Sequence, residues 1–313
     1  MTDTLRARLG RLRIPAFAAP MFLVSGPDLV VAACRSGVVG SFPAPNARTT
    51  EILDAWLGEI TSRLEEPSAT GVDQAPWAVN MVVHSTTQRM PYDLEVVVKY
   101  KAPIVITALG SPARVVDEIH AYGGLVFADV NSVGYARKAV DAGVDGLVLV
   151  CSGAGGHTGQ LCNFAFVDEV RRFWDGYIAL GGGISTGRAI RAAEVMGADF
   201  AYIGTRFIAT EESMAEQAYR DMLADCTAED LMVSKAFTGA NASMLVPSIV
   251  NQGLDPVELA DKKAKMNFTG QEGMEVKPWK GIWTAGQGVG SIDGTSTVED
   301  LVATLKREYD AAR

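Results

Sequence analysis

The residues best suited to chemistry form one glycine-rich loop, Cys151-Ser152-Gly153-Ala154-Gly155-Gly156-His157-Thr158-Gly159. The loop directly follows the apolar run 146–150, which is typical of a fully buried strand. Glycines supply no side chains to pack around His157, and they let the backbone approach a ligand closely. An imidazole with a pKa near ~6.5 serves as a base or a hydrogen-bond donor at neutral pH. His157 is therefore the candidate catalytic residue, with a capping or loop role as the alternative.

Two further glycine loops follow the next two strand-like segments. Their potential donors are backbone N–H groups and hydroxyls, at Gly182, Gly183, Ser185, Thr186, Gly204 and Thr205. Backbone N–H groups at a helix N-terminus, together with hydroxyls, bind a phosphate monoester without a lysine. We predict a phosphate site here; ordinary tight turns with a Ser/Thr cap are the alternative.

The other histidines and the cysteines are weaker candidates. His84 either lines the same end of the fold or faces solvent, and His120 is expected on the surface. The four cysteines, Cys34, Cys151, Cys162 and Cys226, contain no CxxC pair and have only three histidines to join them. We therefore predict no metal site and no disulfides.

Eight strand-like segments must position these loops, and helical stretches separate most of them: 14–18, 38–40, 77–81, 104–107, 125–130, 146–150, 177–180 and 200–203. This alternation requires a parallel sheet, and eight units predict closure into an α/β (β/α)₈ TIM barrel. An open doubly wound sheet is the alternative, but its dinucleotide fingerprint is missing after the first strand. A barrel places its active site at the carboxyl ends of the strands, where the glycine loops lie.

The strand rhythm stops after Glu211. Helical patterns cover 214–224, 229–237 and 255–266, with a loop at 238–243. We predict a barrel formed by residues 1–210 and 284–313, and a smaller helical region, 211–283, that covers the mouth of the barrel above the substrate. A last helix at 297–309 would complete the outer ring.

Composition restricts the classes of partner. The chain has 313 residues, a net charge of −9 and no basic block, which disfavours nucleic acid and anionic membranes as partners. No run of 18 apolar residues occurs, and residues 1–10 lack an apolar signal core. We expect a cytoplasmic protein that binds a small-molecule substrate, and we keep a homodimer open as its state of assembly.

Three motifs, in this order, resemble the nitronate monooxygenase family, formerly called 2-nitropropane dioxygenases: 153–159, 182–184 and 197–207. The resemblance extends from 19–21 to 285–287. It implies an FMN-containing TIM barrel with a helical second domain. The same superfamily includes FMN-dependent enoyl-acyl-carrier-protein reductases and NAD(P)H:quinone reductases.

The resemblance also implies roles for single residues. Met21 would contact the flavin ring through its backbone, and Asn80 would hydrogen-bond the cofactor. Gly155 and Gly156 would lie against FMN. Asp129 occupies a barrel position where relatives can place a lysine near the flavin.

The phosphate of FMN would be held by four residues of this pattern, Gly182, Gly183, Gly204 and Thr205. His157 matches the family histidine credited with proton abstraction or substrate binding. The chain departs from the family at Val150 and Gly153, where members often carry polar residues.

Three hypotheses remain open at this point. The first is an oxidase-type reaction in which an alkyl nitronate reduces FMN and O₂ completes turnover, giving a carbonyl compound and nitrite. The second is an NAD(P)H-dependent FMN reductase acting on quinones or enoyl thioesters. The third is a non-catalytic FMN- or phosphate-binding barrel, in which Gly153 and Val150 mark lost activity.

Overall fold

The computed structural model describes residues 2–67, 71–260, 262 and 281–312. Within these residues a closed barrel contains eight parallel strands in chain order: β1 (Ala16–Ala18), β2 (Val39–Pro43), β3 (Trp77–Val82), β4 (Ile104–Ala108), β5 (Leu125–Val130), β6 (Gly146–Val150), β8 (Tyr177–Gly181) and β9 (Phe200–Ile203). A short strand, β7 (Gly156–His157), lies outside the barrel. Pairing of β1 with β9 closes the cylinder, with Phe17 opposite Tyr202. The predicted (β/α)₈ barrel is confirmed.

The helices of the barrel are α1 (Thr2–Leu9), α2 (Pro27–Arg35), α3 (Thr50–Glu65), α4 (Met90–Lys99), α5 (Val116–Ala121), α6 (Val133–Asp141), α7 (Asn163–Arg171), α8 (Gly187–Val195) and the one-turn α9 (Thr205–Ile208). Three of them begin at hydroxyl caps that accept a hydrogen bond from the backbone N–H three residues later: Thr49, Ser132 and Thr186. In the described part of the chain no helix combines the length and the apolar character needed to cross a membrane.

The interior of the barrel is apolar below its carboxyl end. The ring of Phe17 lies 5.7 Å from that of Phe127 and 5.2 Å from that of Phe200, centroid to centroid. Leu5 and Leu9 of α1 belong to the same buried cluster, so α1 packs against this core. The core therefore fills the cylinder and leaves the carboxyl ends of the strands to form a site.

Residues 211–283 contribute α10 (Gln217–Asp225), β10 (Leu231–Ser234), β11 (Ala242–Leu245), α11 (Val246–Asn251) and α12 (Pro256–Ala260), and the chain returns to the barrel in α13 (Val298–Ala311). The strands β10 and β11 form an antiparallel sheet whose third strand is β7. The helix predicted at 229–237 is wrong, because pairing with β11 places 231–234 in a strand. Of the helix predicted at 255–266, residues 256–260 are helical and Asp255 is not, and the remainder, apart from Lys262, lies outside the described residues.

Candidate active site

His157 is held between the barrel and the 211–283 region. Its strand β7 follows β6 through the glycine loop and pairs with β11, with His157 opposite Ala242. The N–H of Thr158 donates to the carbonyl of Asn241 at 3.0 Å. The Thr158 hydroxyl donates to the Cys151 carbonyl, also at 3.0 Å, and so closes the loop on itself. The backbone of the candidate catalytic residue is thus fixed from two sides.

The His157 imidazole is both accessible and partly dehydrated. Its side chain keeps exposed surface, while Nε2 lies 3.2 Å from Oγ1 of Thr238. Burial lowers the pKa of the imidazole below its usual value of 6.5, because surrounding protein disfavours the charged form. His157 is therefore neutral at pH 7, the state that a general base requires.

Two glycines of the histidine loop serve packing against 285–287. A Cβ added at Gly155 would lie 2.7 Å from the backbone nitrogen of Gly286. Gly153 has a φ of +83°, and a Cβ there would meet Oε1 of Gln287 at 2.8 Å. The positive φ favours glycine at 153, whereas the contact is with the movable end of the Gln287 side chain.

Gly156 and Gly183 have a different environment. Their φ angles are +64° and +70°, and no atom lies within 4 Å of a Cβ added at either position. Protein atoms do not fill this space at either position, so a ligand could approach the backbone there; we call the two positions the open cradle. The N–H of Gly183 donates to the Gly153 carbonyl at 3.2 Å, so this group is not a free donor as the sequence had suggested.

The predicted phosphate loops meet the same segment. A Cβ on Gly182 would lie 2.7 Å from the Ser152 carbonyl, so this glycine permits close contact with the histidine loop. Oγ1 of Thr205 accepts a hydrogen bond from the Gly286 N–H at 2.9 Å, which leaves its own proton to be donated to an anionic oxygen. Gly204 lies beside Met21, whose Sδ is 3.6 Å from the position of an added Cβ.

The Met21 backbone is fixed by Asn46, a buried residue that sequence reasoning missed. Nδ2 of Asn46 donates to the carbonyls of Met21 and Ser25, at 3.0 and 2.8 Å. Its Oδ1 accepts from the N–H of Leu23 at 2.8 Å, and Leu23 has a positive φ of 65°. The Met21 N–H donates to the Ser25 hydroxyl at 3.0 Å. This network holds a strained turn at the mouth of the barrel.

Three polar side chains form what we call the barrel floor: Asn80 on β3, Asp129 on β5 and Tyr202 on β9. Nδ2 of Asn80 donates to Oδ2 of Asp129 at 3.2 Å. Burial raises the pKa of Asp129 to about 7, and the bond from Asn80 lowers it in part. Oδ1 of Asp129 and the Tyr202 hydroxyl are buried without a hydrogen-bond partner among the described residues. Burial and the nearby Asp129 also raise the pKa of Tyr202.

The candidate residues therefore form two groups. The first group lies around the histidine loop and 285–287: Met21, Gly155, Gly156, Gly182, Gly183, Gly204 and Thr205. The second group is Asn80 and Asp129, which contact each other in the barrel floor. The open cradle and the orphaned polar atoms fit a group with a phosphate and a polar ring system. Sequence reasoning also missed Thr238 and Tyr202 as site residues. The glycine-rich run 286–290 was the available signal for the 285–287 contact.

The other two histidines contact other residues. Nε2 of His120 is 2.8 Å from Oδ2 of Asp145, the residue just before β6, at the end of the barrel opposite His157. His84 is half-buried, and its Nδ1 lies 2.8 Å from the Thr86 hydroxyl.

Comparison with known proteins identifies the family. The nitronate monooxygenase family model matches residues 5–308. A nitronate monooxygenase of Paraburkholderia phytofirmans is 30% identical over 301 residues, covering 82% of this chain and 81% of the relative. A Rhodococcus jostii dehydrogenase of a hydroxy-methyl-oxo-octahydro-indene-carboxyl-CoA is 25% identical over 252 residues, covering 80% of this chain and 68% of the relative.

A solved structure of the nitroalkane oxidase from Streptomyces ansochromogenes superposes with a TM-score of 0.80 at 22% identity, covering 98% of this chain and 99% of that one. This likeness supports the barrel fold. Because the family model spans nearly the whole chain, the chain belongs to the nitronate monooxygenase family, and it is a flavin-dependent oxidoreductase.

Proposed function

We propose that the chain is an FMN-dependent nitronate monooxygenase, which oxidises alkyl nitronates with O₂ to a carbonyl compound and nitrite. The observation that carries the proposal is His157, an accessible and neutral imidazole on β7 beside the open cradle of Gly156 and Gly183. Family membership supports the same reaction class.

His157 acts on the substrate in one of two ways. A neutral imidazole abstracts the α-proton of a nitroalkane, and a protonated or N–H-donating imidazole holds the anionic oxygens of a nitronate. Burial favours the first role at neutral pH, because it lowers the pKa of His157. The fixed backbone of β7 positions the ring for either role.

The cofactor would be held by the residues of both groups. Gly182, Gly183, Gly204 and the Thr205 hydroxyl would hold the phosphate, and Met21, Gly155 and Gly156 would lie along the ring, with Asn80 and Asp129 in the barrel floor. FMN, when bound, supplies the electron acceptor that connects substrate oxidation to O₂. Residues 1–210 and 284–313 would form the cofactor-binding barrel, and 211–283 would cover the substrate.

A second candidate function is NAD(P)H-dependent reduction of a quinone or an enoyl thioester. The similarity to the carboxyl-CoA dehydrogenase of R. jostii favours it, since that relative acts on a thioester by its name. Here NAD(P)H, rather than a nitronate, would be the electron donor.

The test is anaerobic absorbance of the FMN-loaded protein, mixed separately with ethylnitronate and with NADPH. Bleaching by ethylnitronate alone, with recovery in air and release of nitrite, is the expected result. Bleaching of the flavin absorbance by NADPH alone would support the reductase function. Bleaching by neither compound would support a non-catalytic barrel.

The role of His157 is tested with His157→Asn. We expect this variant to retain FMN and to lose turnover of neutral nitroethane by about 100-fold or more, the usual contribution of a general base. His120→Asn is the matched control, since His120 lies at the opposite end of the barrel, and it should keep the wild-type rate. Unchanged nitroethane turnover in His157→Asn would refute the proposed role.

A further inference from the structure

A serine hydroxyl near the open cradle has no partner in the protein. Ser185 lies in the loop between β8 and α8, two residues after Gly183. It is buried, with 8% of its surface exposed, and its hydroxyl forms no hydrogen bond with any residue that the structure describes. Buried hydroxyls normally have at least one hydrogen-bond partner. The unused donor of Ser185 therefore points to a bound ligand.

The segment 286–288 lies against this hydroxyl and that of Thr205. A Cβ added at Gly286 would lie 3.3 Å from Oγ1 of Thr205. A Cβ added at Gly288 would lie 2.7 Å from Oγ of Ser185. The two hydroxyls follow β8 and β9, which are paired neighbours in the barrel. They therefore border the same part of the barrel mouth, although 20 positions separate them in the chain.

The adjacent end of α8 is already satisfied by the protein. The first N–H of this helix, that of Gly187, donates to Oε2 of Glu308 at 2.7 Å. The N–H of Ala189 donates to the Thr186 hydroxyl at 3.2 Å. These donors are therefore not open to an anion, whereas the proton of the Ser185 hydroxyl is.

The nearby cation is also engaged within the protein. Arg206, which follows Thr205, donates to the carbonyl of Ser291, and the carboxylates of Glu308 and Asp293 interact with its charge. This arrangement leaves neutral donors to recognise a phosphate. A hydroxyl that donates to a phosphate oxygen forms a charge-assisted hydrogen bond, which is about twice as strong as one between neutral groups.

We propose that the Ser185 hydroxyl donates a hydrogen bond to the phosphate of the bound flavin, and so makes the site selective for FMN over riboflavin, which lacks the phosphate. The proposal rests on the proposed function, in which FMN is the cofactor. It adds a side chain to a phosphate site that otherwise consists of Gly182, Gly183, Gly204 and Thr205. Because Ser185 contacts the phosphate rather than the reacting ring, it determines which flavin is bound.

Ser185→Ala tests this contact by a comparison of two ligands. Flavin-free protein is titrated with FMN and, separately, with riboflavin, and binding is followed by flavin fluorescence. We expect the Kd of FMN to rise about tenfold or more, as for the loss of a hydrogen bond to a charged group, and the Kd of riboflavin to change by less than about twofold. The ³¹P signal of bound FMN should also shift between wild type and variant, because a donor to the phosphate is lost.

Ser213→Ala is the matched control. Ser213 is buried to a similar degree, with 7% of its surface exposed, but its hydroxyl donates to the Ile208 carbonyl at 2.8 Å and accepts from the Ala215 N–H at 3.3 Å. Its loss should leave the ratio of the two Kd values unchanged. Equal weakening of both flavins in Ser185→Ala would indicate a general disturbance of the loop and overturn the proposal, as would an unchanged Kd of FMN.

Failure of this proposal is distinguishable from failure of the proposed function. Flavin binding is measured without substrate, so selective weakening of FMN in Ser185→Ala stands even if ethylnitronate does not reduce the flavin. Conversely, oxidation of ethylnitronate by the wild type, together with wild-type FMN affinity in Ser185→Ala, would overturn the role of Ser185 alone. Binding of neither flavin by the wild type would overturn both proposals.

Discussion

Asp129 gives a quantitative prediction about stability. Its carboxyl lies in the barrel floor, with Oδ2 bonded to Asn80 and Oδ1 buried without a partner among the described residues. Burial is the main cause of the rise in its pKa from 3.8 to about 7. Between these values the folded protein holds a proton that the unfolded chain has released.

This difference fixes the sign of the pH dependence. Because the folded state binds more protons, the unfolding free energy falls as the pH rises. The stabilisation that Asp129 adds to the unfolding free energy is fully present below about pH 4 and is lost as the pH passes 7. One pKa unit corresponds to about 1.4 kcal/mol, so the shift from 3.8 to about 7 removes about 4 kcal/mol.

Asp129→Asn removes this titration while keeping the size of the side chain. Burying the amide also costs free energy, but that cost is independent of pH. The change of the unfolding free energy with pH therefore reports the carboxyl of Asp129 alone. We expect the unfolding free energy of the variant, minus that of the wild type, to rise by about 4 kcal/mol between pH 4 and pH 8. The measurement is urea unfolding of flavin-free protein, with coincident fluorescence and circular dichroism transitions.

Asp230→Asn provides a control of opposite sign. Asp230 is half-buried, and hydrogen bonds from the backbone N–H and hydroxyl of Thr227 lower its pKa. Its contribution is therefore present above the unfolded pKa and is lost as the pH falls. The contrary outcome is a difference in unfolding free energy between Asp129→Asn and wild type that stays constant within about 1 kcal/mol from pH 4 to pH 8. That result would refute the reasoning about a dehydrated carboxyl in the barrel floor.

Two further predictions concern the mouth of the barrel. Gly183→Ala should weaken FMN binding about tenfold or more, because the added Cβ would occupy the open space at this positive-φ position, as measured by fluorescence titration. Gly253→Ala, with a similar φ of +72° and equal open space, should leave FMN binding unchanged. Asn46→Ala removes three hydrogen bonds from the Met21–Ser25 turn and should lower the unfolding free energy by about 2–3 kcal/mol, whereas the exposed Asn251→Ala should change it little. Equal effects in variant and control would contradict either prediction.

The barrel could be predicted from the sequence because its signals are local. Each strand is an apolar run, and caps such as Thr49, Ser132 and Thr186 mark helix starts with side chains that bond three residues ahead. The prediction failed at 229–237, where strand formation depends on pairing with β11. Nothing within those nine residues reports the presence of a partner strand.

The site was predictable only in part, for a related reason. Glycine loops at strand ends pointed to His157 and to the phosphate cradle. They did not indicate which glycines touch protein and which are open, since the contact of Gly155 with Gly286 joins positions far apart in the chain. Thr238 and Tyr202 gave no local signal, because only the folded sheet and barrel place their polar groups near the site.

The position of β7 connects these observations. His157 follows a barrel strand, yet its backbone pairs with β11 and its ring contacts Thr238, both within 211–283. A region that only covered the mouth could shift without affecting the imidazole. Here any displacement of β10 and β11 also moves the His157 backbone and the hydroxyl beside Nε2. Substitutions that displace β10 or β11 should therefore change the protonation of the candidate base as well as access of the substrate.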